Sequence, residues 1–478
     1  QAEDGIRDVE RSRGLGDVYK RQIINNVELS SKDFLDIRYA QSESETFSVR
    51  NGRFDTISNR TSGGIAIRAL VDNAWGFTTT VSLETEDILK NVKKAISMAR
   101  IASKYAKEER RISDKWVFEG KGATEIKIDP RELDKEIKLE KIKIIEKSAR
   151  EFSDNIAQAS STYQEMHKME YIVNNKGTNV ENEYHVIRLM KDVVARRGEK
   201  MQSVFDSIGG TGGWELLESW DPEEEGRKSA EQAEKLLDTR SPPSGKMNVI
   251  MDESLVGVFI HEAFGHAAEA DGVFAKNSVL EGKIGEKIGV EGISVYDDPT
   301  IPKLRGSFVF DSEGTKSEKR TIVEKGVLKE YFQTLETATM MEMKPNGAGR
   351  AQDFNSIPIP RMANTYVDSG DLSLEEIAEM TKEGVYLKNS YGGYVHPTKG
   401  QFYFTCQYGY IIENGEIGEL FGNVGMSGMT LEVLNNAYGI SKNWKPAFLG
   451  TCGKGGQWVP VTGGGPNIGV SNLVVGGK

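Results

Sequence analysis

Cysteine is scarce in this chain, with two residues in 478, Cys406 and Cys452. A secreted protein of this size usually carries more cysteines, so the composition favours a reducing, cytoplasmic compartment. Long apolar runs are missing too. No stretch approaches the ~20 residues needed to cross a membrane, and the N-terminus shows no apolar signal core. The sequence therefore predicts a cytoplasmic protein without a membrane partner.

An excess of positive charge is also absent. Lys and Arg number 61 against 72 Asp and Glu, which gives a formal net charge of −11. A surface this acidic repels nucleic acid unless a basic patch is present locally, and the sequence shows none. We therefore expect no direct nucleic-acid partner.

The chain divides at a proline- and glycine-rich break over 241–245. Residues 1–22 are polar, highly charged and without a hydrophobic period, and are expected to be a non-native or disordered tail. Residues 23–240 are predicted to form an N-terminal domain and 245–478 a C-terminal domain. A glycine segment over 209–213 is expected to be flexible.

The fold class predicted from hydrophobic periodicity is α+β. A mixed α/β N-terminal domain is expected to precede a β-rich C-terminal domain that carries one catalytic helix. The helices are predicted over 84–106, 130–153, 221–237, 255–270 and 374–383. The strands are predicted over 36–40, 45–50, 65–71, 156–196, 247–251, 308–310, 320–323, 401–412, 418–420 and 470–475.

The segment 256–266 holds the most informative motif, His261-Glu262 followed by His266. A zinc site needs imidazoles with thiolates or carboxylates, and a peptidase also needs a base beside them, usually a Glu next to a ligand His. The histidines stand at i and i+5, which on a regular helix separates them by roughly 140°. Both can face one metal only if the helix widens to a π-bulge, which Gly265 would permit. Alternatively, such histidines are structural.

The two cysteines have different surroundings. Cys452 lies in a glycine-rich segment, Gly450 to Gln457, where a thiolate is accessible and backbone amides can stabilise its charge. It is a candidate third ligand, although it could also be a small residue in a tight loop. Cys406, on an apolar strand, is expected in the buried core.

These motifs resemble the TldD/PmbA family, also known as modulators of DNA gyrase, and within it the TldD branch. The PmbA branch lacks the metal motif. The resemblance covers roughly Asp36 to the C-terminus. The matching segments are 67–68, 74–77, His-Glu-Ala-Phe-Gly-His at 261–266, 358–366, 388–389, 391–393, 450–454 and 456–457.

The resemblance implies a cytoplasmic zinc metallopeptidase that acts on unfolded or small peptides. It implies Zn²⁺ as cofactor with His261, His266 and Cys452 as ligands, and Glu262 as general base. It also implies a dimer, with either a PmbA-like (TldE-like) paralogue or a second copy as partner. Backbone near the glycine stretches could bind an extended peptide as an added strand. Those substrate-binding candidates are Gly392, Gly393, Gly463 and Gly464.

Two other functions remain open at this stage. A non-catalytic peptide- or partner-binding module could use zinc structurally, with Glu269 or Asp271 as a fourth ligand. A cysteine hydrolase could use Cys452 with a His, but it leaves the His-Glu-His pattern unexplained. Tyr391 and His396 are candidates for stabilising an oxyanion, each more often structural.

Overall fold

The computed structural model describes residues 23–476, so the tail predicted over 1–22 lies outside the described residues. The chain mixes helices and strands in both halves, which confirms the α+β prediction. Within the described range, no helix combines the length and the apolar character needed to span a bilayer. The division into two domains remains a prediction.

One seven-stranded sheet occupies the N-terminal part, and four of its strands have 17 or more residues. Its order is β3-β2-β1-β5-β6-β4, with β7 also paired to β6. The predicted strands at 36–40 and 45–50 form one continuous strand of this sheet, the one at 65–71 lies at the end of another, and the run predicted over 156–196 is a pair of strands joined by a turn. The strands are β1 (Phe34–Arg50), β2 (Arg53–Val71), β3 (Ala74–Thr80), β4 (Glu119–Ala123), β5 (Ile156–Asn174), β6 (Asn179–Arg197) and β7 (Lys200–Thr211).

Helices cover this sheet through the apolar faces that the periodicity predicts. Ile88, Val92 and Ala95 on the first helix share a buried cluster with Ile37 and Ile67 of the sheet. Each buried Ile or Val side chain of this cluster stabilises the fold by about 1.5–3 kcal/mol. The helices are α1 (Thr85–Ser103), α2 (Lys135–Arg150), α3 (Glu215–Glu218) and α4 (Pro222–Lys235), and short 3-10 turns lie at Ile24–Asn26, Pro130–Glu132 and Leu236–Asp238.

The glycine segment expected to be flexible over 209–213 begins instead inside β7. A Cβ at Gly209 would lie 2.2 Å from the carbonyl oxygen of Ile187, and one at Gly210 would lie 2.0 Å from that of Lys303. These glycines are therefore needed where backbones pack closely. The prediction of a flexible segment was wrong at these two positions.

The C-terminal part contains two larger sheets and a short two-stranded one. The first has the order β15-β8-β22-β18-β16-β17, and because β15 also pairs with β16, five of its strands close into a ring. The second has the order β11-β10-β9-β14-β21-β20, so β20 is an edge strand. The strands are β8 (Gly245–Met251), β9 (Val295–Asp297), β10 (Arg320–Glu324), β11 (Val327–Leu328), β12 (Gly349–Arg350), β13 (Ile359–Pro360), β14 (Asn364–Val367), β15 (Gly384–His396), β16 (Gln401–Glu413), β17 (Glu416–Phe421), β18 (Val424–Met429), β19 (Ala437–Ile440), β20 (Lys445–Lys454), β21 (Gln457–Gly465) and β22 (Ile468–Val475).

The predicted strand over 308–310 is wrong. Phe310 makes an isolated bridge with Lys316, and its carbonyl accepts a hydrogen bond from the Asn182 side chain at 3.0 Å. Its ring is buried against Ile172 and Val180 of the N-terminal sheet. Apolar character at 308–310 therefore reflects packing between the two parts of the chain rather than strand pairing.

Helices of the C-terminal part are short. The predicted helix at 374–383 is confirmed, and Ser373 caps it by accepting a hydrogen bond from the Glu376 N–H at 3.1 Å. Two others, near 335 and 430, were not predicted because each has fewer than eight residues. The helices are α5 (Glu253–Val258), α6 (Ala270–Phe274), α7 (Leu335–Met340), α8 (Leu374–Thr381) and α9 (Thr430–Asn436).

The segment from α5 to α6 lies in the C-terminal core, between the two larger sheets. α5 contacts β15 on one side and β20 and β21 on the other. Phe259 and Phe264 are buried in the same cluster as Phe402 of the ring and Val461 of β21. The residues that follow α5 are therefore held from both faces.

A substitution at Gly257 on α5 tests this packing. A Cβ there would lie 2.8 Å from the carbonyl carbon of Gly463 and from the nitrogen of Gly464, and neither backbone can move aside. Gly257→Ala should lower the free energy of unfolding by about 1–3 kcal/mol, measured by denaturant titration.

Gly272→Ala is the matched control, because a Cβ at that helical position meets nothing within 4 Å. Its stability should equal or exceed that of the wild type. If Gly257→Ala were as stable as Gly272→Ala, the close contact between α5 and β21 would be contradicted.

Candidate metal centre

The chain widens into a π-helical turn directly after α5. Asp252 caps α5 by accepting a hydrogen bond from the Leu255 N–H at 2.9 Å. The π turn spans Phe259–Gly265, and the N–H of His266 donates to the carbonyl of His261, five residues back. A 3-10 turn, His266–Ala268, separates it from α6. The predicted π-bulge is therefore confirmed, whereas the single helix predicted over 255–270 is divided into segments.

Gly265 has a different role from the one predicted. Its φ of −60° and ψ of −46° are ordinary helical values, so no conformational freedom is required there. A Cβ at Gly265 would lie 2.0 Å from the sulfur of Met362. The glycine allows the π turn to pack against the segment before β14.

His261, His266 and Cys452 are brought together by this turn and by β20. Their ligand-type atoms all lie within 4.8 Å of one another. The Cys452 Sγ is 3.5 Å from the His266 Nε2. Two such ligands on a tetrahedral zinc ion are expected to be separated by roughly 3.6 Å, from Zn–S and Zn–N distances of about 2.3 and 2.05 Å. The donor set therefore fits zinc.

The imidazole of His261 is buried with neither ring nitrogen hydrogen-bonded to a described residue, which is the arrangement expected of a metal ligand. It is 0 % exposed, and neither of its nitrogens has a hydrogen-bond partner among the described residues. A buried polar group without a partner costs about 1–3 kcal/mol. A metal bound by one of these nitrogens would remove much of that cost.

Glu269 fixes the orientation of the second imidazole. Its Oε2 lies 2.9 Å from the Nδ1 of His266, which leaves Nε2 directed towards Cys452. Burial raises the pKa of Glu269, but the charges of His266 and Lys454 outweigh it and lower the pKa to about 2. Burial lowers the pKa of His266, but Glu269 and Cys452 raise it well above its ordinary value. Such carboxylate–histidine pairs orient metal ligands.

The hairpin of β20 and β21 is joined to the same network. Gly455 and Gly456 form its two-residue turn, and their φ values of +59° and +75° favour glycine. Just before the turn, the ammonium of Lys454 lies 3.1 Å from Glu269 and 2.7 Å from Asp271. Lys454 therefore ties the strand that carries Cys452 to the chain that follows His266.

A buried guanidinium also holds Cys452 in place. Arg361 donates to the carbonyl oxygens of Cys452 and Gln457, and is itself fully buried. Burial raises the pKa of the Cys452 thiol, but the nearby imidazoles of His261 and His266 outweigh it and lower the pKa to about 5. The site therefore favours the thiolate, the form that binds metal.

Glu262 is the acidic side chain at the open side of this cluster. Its side chain is 31 % exposed, and its Oε2 lies 3.7 Å from the His266 Nε2. It thus borders both the candidate ligands and solvent, where a base acting on water is required.

The candidate substrate glycines lie in two different settings. Gly463 and Gly464 are paired on both sides, with Thr365 and Tyr366 of β14 and with β20. They leave no free edge for a peptide, so added-strand binding is not expected at this pair. A Cβ at Gly463 would meet α5, and one at Gly464 would meet the backbone of Lys445 and Pro446 on β20. Gly392 and Gly393 lie at a bulge in β15, whose pairing with β8 ends at Leu387.

The two candidate oxyanion residues are not brought to the ligand cluster by any described contact. The hydroxyl of Tyr391 contacts Ser203 of β7, with its Oγ at 2.9 Å and its carbonyl closer still. His396 ends β15 and has a buried Nδ1 without a partner among the described residues. The structure therefore places neither Tyr391 nor His396 where it could stabilise an oxyanion at the ligand cluster.

The residues missed by the sequence analysis are Lys454, Arg361 and the orienting role of Glu269. Lys454 and Arg361 both lie inside the segments that carry the family resemblance. Their partners are 91 to 185 positions away: Arg361 contacts Cys452 with a separation of 91, and Lys454 contacts Glu269, with 454 − 269 = 185. The signal was present, but the contact could not be read from the sequence.

Replacing Glu269 tests its orienting role. Glu269→Gln removes the charge that favours the Nδ1–H form of His266, and should weaken zinc binding by about 10–100-fold in a chelator competition titration. Asp271→Asn is the matched control, because Asp271 contacts Lys454 but neither histidine. Equal affinity of Glu269→Gln and the wild type would contradict the role.

Comparisons with known proteins cover almost the whole chain. Three family models match: PmbA/TldA metallopeptidase domain 1 at 35–99, the central domain at 128–237 and the C-terminal domain at 244–477. A metalloprotease of Methanocaldococcus jannaschii is 36% identical over 434 residues, 91% of this chain and 95% of the relative. A zinc metalloprotease TldD homolog of Saccharolobus solfataricus is 30% identical, over 95% and 99% respectively.

Solved structures agree with this assignment at the level of the fold. The crystal structure of TldE from Thermococcus kodakarensis matches with a TM-score of 0.74 and 22% identity, covering 93% of this chain and 97% of that one. Because the sequence matches extend over both halves of the chain and include relatives at 36% identity, the chain belongs to the PmbA/TldD metallopeptidase family.

Proposed function

We propose that this protein is a zinc-dependent peptidase that hydrolyses unfolded or small peptides. His261, His266 and Cys452 are its zinc ligands, and Glu262 is its general base. The observation that carries this proposal is the convergence of three ligand atoms within 4.8 Å beside a partly exposed glutamate. The names of the relatives as metalloproteases support it.

The chemistry follows from these positions. When bound, zinc lowers the pKa of its water to about 7 and polarises a carbonyl oxygen. Glu262 accepts the proton of the attacking water and delivers it to the leaving amine. Glu269 keeps His266 in the tautomer that presents Nε2. Arg361 donates to the carbonyl of Cys452 and so fixes the position of that strand beside the two histidines.

An extended peptide can approach this site along a strand edge. β20 pairs only with β21 among the described strands, so the edge beside Cys452 is free. Beyond Leu387, the side of β15 that faces away from β16 is also unpaired, and Gly392 lies there. Added-strand binding recognises backbone rather than side chains, which suits unfolded substrates of varied sequence.

A structural zinc with four protein ligands is less well supported. Glu269 is engaged with His266 and Lys454, and Asp271 with Lys454. Neither belongs to the cluster of ligand atoms formed by the described residues. Three ligands leave a position for water, as catalytic zinc sites do.

A cysteine hydrolase is the other alternative, because Cys452, His266 and Glu269 form a chain similar to a thiol triad. However, Cys452 is only 2 % exposed, so a substrate carbonyl has little access to its sulfur. This arrangement would also leave His261 buried without any function. Insensitivity of activity to chelators would favour it.

Metal content and turnover together test the proposal. Purified wild-type protein should contain about one zinc per chain, as three protein ligands and one open position require. Cys452→Ser should lose it. Glu262→Gln should keep the zinc and lose turnover by about 10²–10⁴-fold, because only the proton transfer is removed. Elemental analysis and a fluorogenic peptide assay measure the two properties.

Cys406→Ala controls for the loss of a cysteine. Cys406 is fully buried and its sulfur is not among the ligand atoms that converge with His261 and His266, so this variant should retain zinc. Full peptidase activity of Glu262→Gln, or zinc retained by Cys452→Ser, would exclude the proposed roles. Activity that survives complete removal of zinc would exclude a metallopeptidase.

A dimer, with a TldE-like paralogue or a second copy, is part of this proposal. Tyr394, Tyr403, Ser427 and Val474 are successive cross-strand neighbours on β15, β16, β18 and β22, so they share one face of the ring. Tyr394 is 66 % exposed and Val474 50 %. Aromatic side chains in such a row are typical of interfaces.

Both cysteines are free, which fits the proposed cytoplasmic location.

Charge placed on this row should weaken assembly. Tyr394→Glu with Tyr403→Glu is expected to shift the protein, alone or mixed with its paralogue, to the monomer in light scattering after gel filtration. Tyr105→Glu is the control, because Tyr105 is 81 % exposed and lies in the N-terminal part, just after α1. An unchanged mass for the double variant would exclude this face.

A further inference from the structure

A cleft separate from the candidate metal centre lies between the N-terminal sheet and the hairpin that carries Cys452. Its volume is about 360 Å³, and Gln164 of β5, Arg188 of β6, Arg305, Thr451 and Trp458 are among its lining residues. Because successive residues of a strand point to opposite faces, Thr451 borders this cleft while Cys452 faces the metal centre. The cleft therefore lies across the β20 strand from the candidate ligands.

Arg305 is the deeper of two arginines in this cleft. It is 9 % exposed, and one of its terminal nitrogens donates to the carbonyl of Gly450 and to the Oγ1 of Thr451, the latter at 3.3 Å. Its Nε is buried without a hydrogen-bond partner among the described residues. A guanidinium has five N–H donors, so this side chain is only partly satisfied.

Arg188 has still fewer partners. Its one described hydrogen bond is to the Oγ of Ser207, at 3.3 Å, and its guanidinium lies 5.9 Å from the ring centre of Phe205. Its Nε is also buried without a partner among residues 23–476. Arg188 is only half-buried as a whole, but a guanidinium with a buried Nε is normally paired with a carboxylate, so this situation is unusual.

Neither arginine forms an ion pair with a carboxylate in the part of the chain that the structure describes. Glu165 also borders the cleft, but its carboxylate lies 2.8 Å from Lys138 and 2.5 Å from the Tyr163 hydroxyl. Burial lowers the pKa of Arg188 to about 10. Burial, then repulsion by Arg188 and Arg350, lowers that of Arg305 to about 9. The cleft thus concentrates positive charge in a protein of net charge −11.

We propose that Arg188 and Arg305 form a subsite for a carboxylate of the peptide substrate. The proposal rests on the proposed peptidase function and names a feature of the substrate that the site recognises. A carboxylate between the two guanidiniums would pair with donors that are otherwise unsatisfied, and arginine binds carboxylates through two parallel hydrogen bonds.

The position of the subsite determines what it does. Arg305 already contacts Gly450 and Thr451, which lie directly before Cys452 on β20. A carboxylate held there anchors a peptide beside the free edge of β20. The carboxylate can come from the C-terminus of the peptide or from an Asp or Glu side chain, since both present the same charged group.

Binding of three peptides to the full-length, zinc-loaded Glu262→Gln variant tests the subsite. The first is acetyl-Ala-Ala-Tyr-Ala-Ala-Ala with a free C-terminal carboxylate. The second is the same peptide with a C-terminal amide, and the third is the amide with Glu at position five. Isothermal titration gives each affinity, alone and in combination with Arg188→Gln. Because Arg188 makes no described hydrogen bond to the hairpin, that substitution should leave the zinc content unchanged.

A carboxylate peptide should bind at least about tenfold more tightly than the neutral amide, as expected for one charge-assisted pair. Preference for the first peptide identifies a chain terminus, and preference for the third identifies a side chain. Arg188→Gln should abolish the preference. Arg188→Lys should restore it in part, because it keeps the charge but not the planar fork.

Arg196→Gln is the matched control, because Arg196 lies on the same strand but its side chain is exposed and donates to the carbonyl of Gly198, outside the cleft. It should keep the preference. Equal affinity for all three peptides, no binding of any, or a preference that survives Arg188→Gln overturns the subsite. Failure of the proposed peptidase function can be distinguished from failure of the subsite, because it would appear as a wild-type protein without zinc or without hydrolysis.

Discussion

A single backbone hydrogen bond, from the N–H of His266 to the carbonyl of His261, sets the geometry on which the proposed metal centre depends. In a regular α-helix the bond would join residues four apart, and the two imidazoles would face different directions. The five-residue spacing requires a wider turn. Such a turn is held here because both sheets of the C-terminal part pack against it, and because Gly265 leaves room for Met362. The core therefore stabilises a local structure that the helix alone would not adopt.

The sequence predicts local features well and long-range contacts poorly. The apolar faces of the helices and the alternation in the long strands are local, and they were confirmed. The π turn could be inferred because metal chemistry demands that His261 and His266 converge. The orientation of His266 by Glu269 and the contacts of Lys454 and Arg361 could not, because they join segments that only the folded chain brings together. Phe310 was misassigned for the same reason: its burial is against the other half of the chain.

Guanidinium groups that bind carbonyl oxygens, rather than carboxylates, hold the hairpin of β20 and β21. Arg305 donates to Gly450, Arg350 to Pro460, and Arg361 to Cys452 and Gln457. Each is buried, so each carries a desolvation cost that neutral acceptors only partly offset. The benefit of the arrangement is that it fixes the positions of β20 and β21, because the planar guanidinium groups donate in fixed directions. It also leaves net positive charge beside a thiolate and next to the cleft that contains Arg188.

The free edge of β20 has a consequence for how the folded protein resists self-association. β20 is the edge strand of its sheet, and an edge strand is a template for unwanted pairing with another chain unless its sequence opposes this. Lys445 and Lys454 lie at the two ends of this strand, and Pro446, which lacks an N–H, stands at a bulge near its start. Charge and proline at these positions discourage pairing with a second folded copy, and the carbonyls of Gly450 and Cys452 between them already accept from Arg305 and Arg361. If the proposed peptide substrate binds along β20, only the few residues between the bulge and the hairpin turn would pair with it, a length that disfavours the long, flat partners from which fibrils grow.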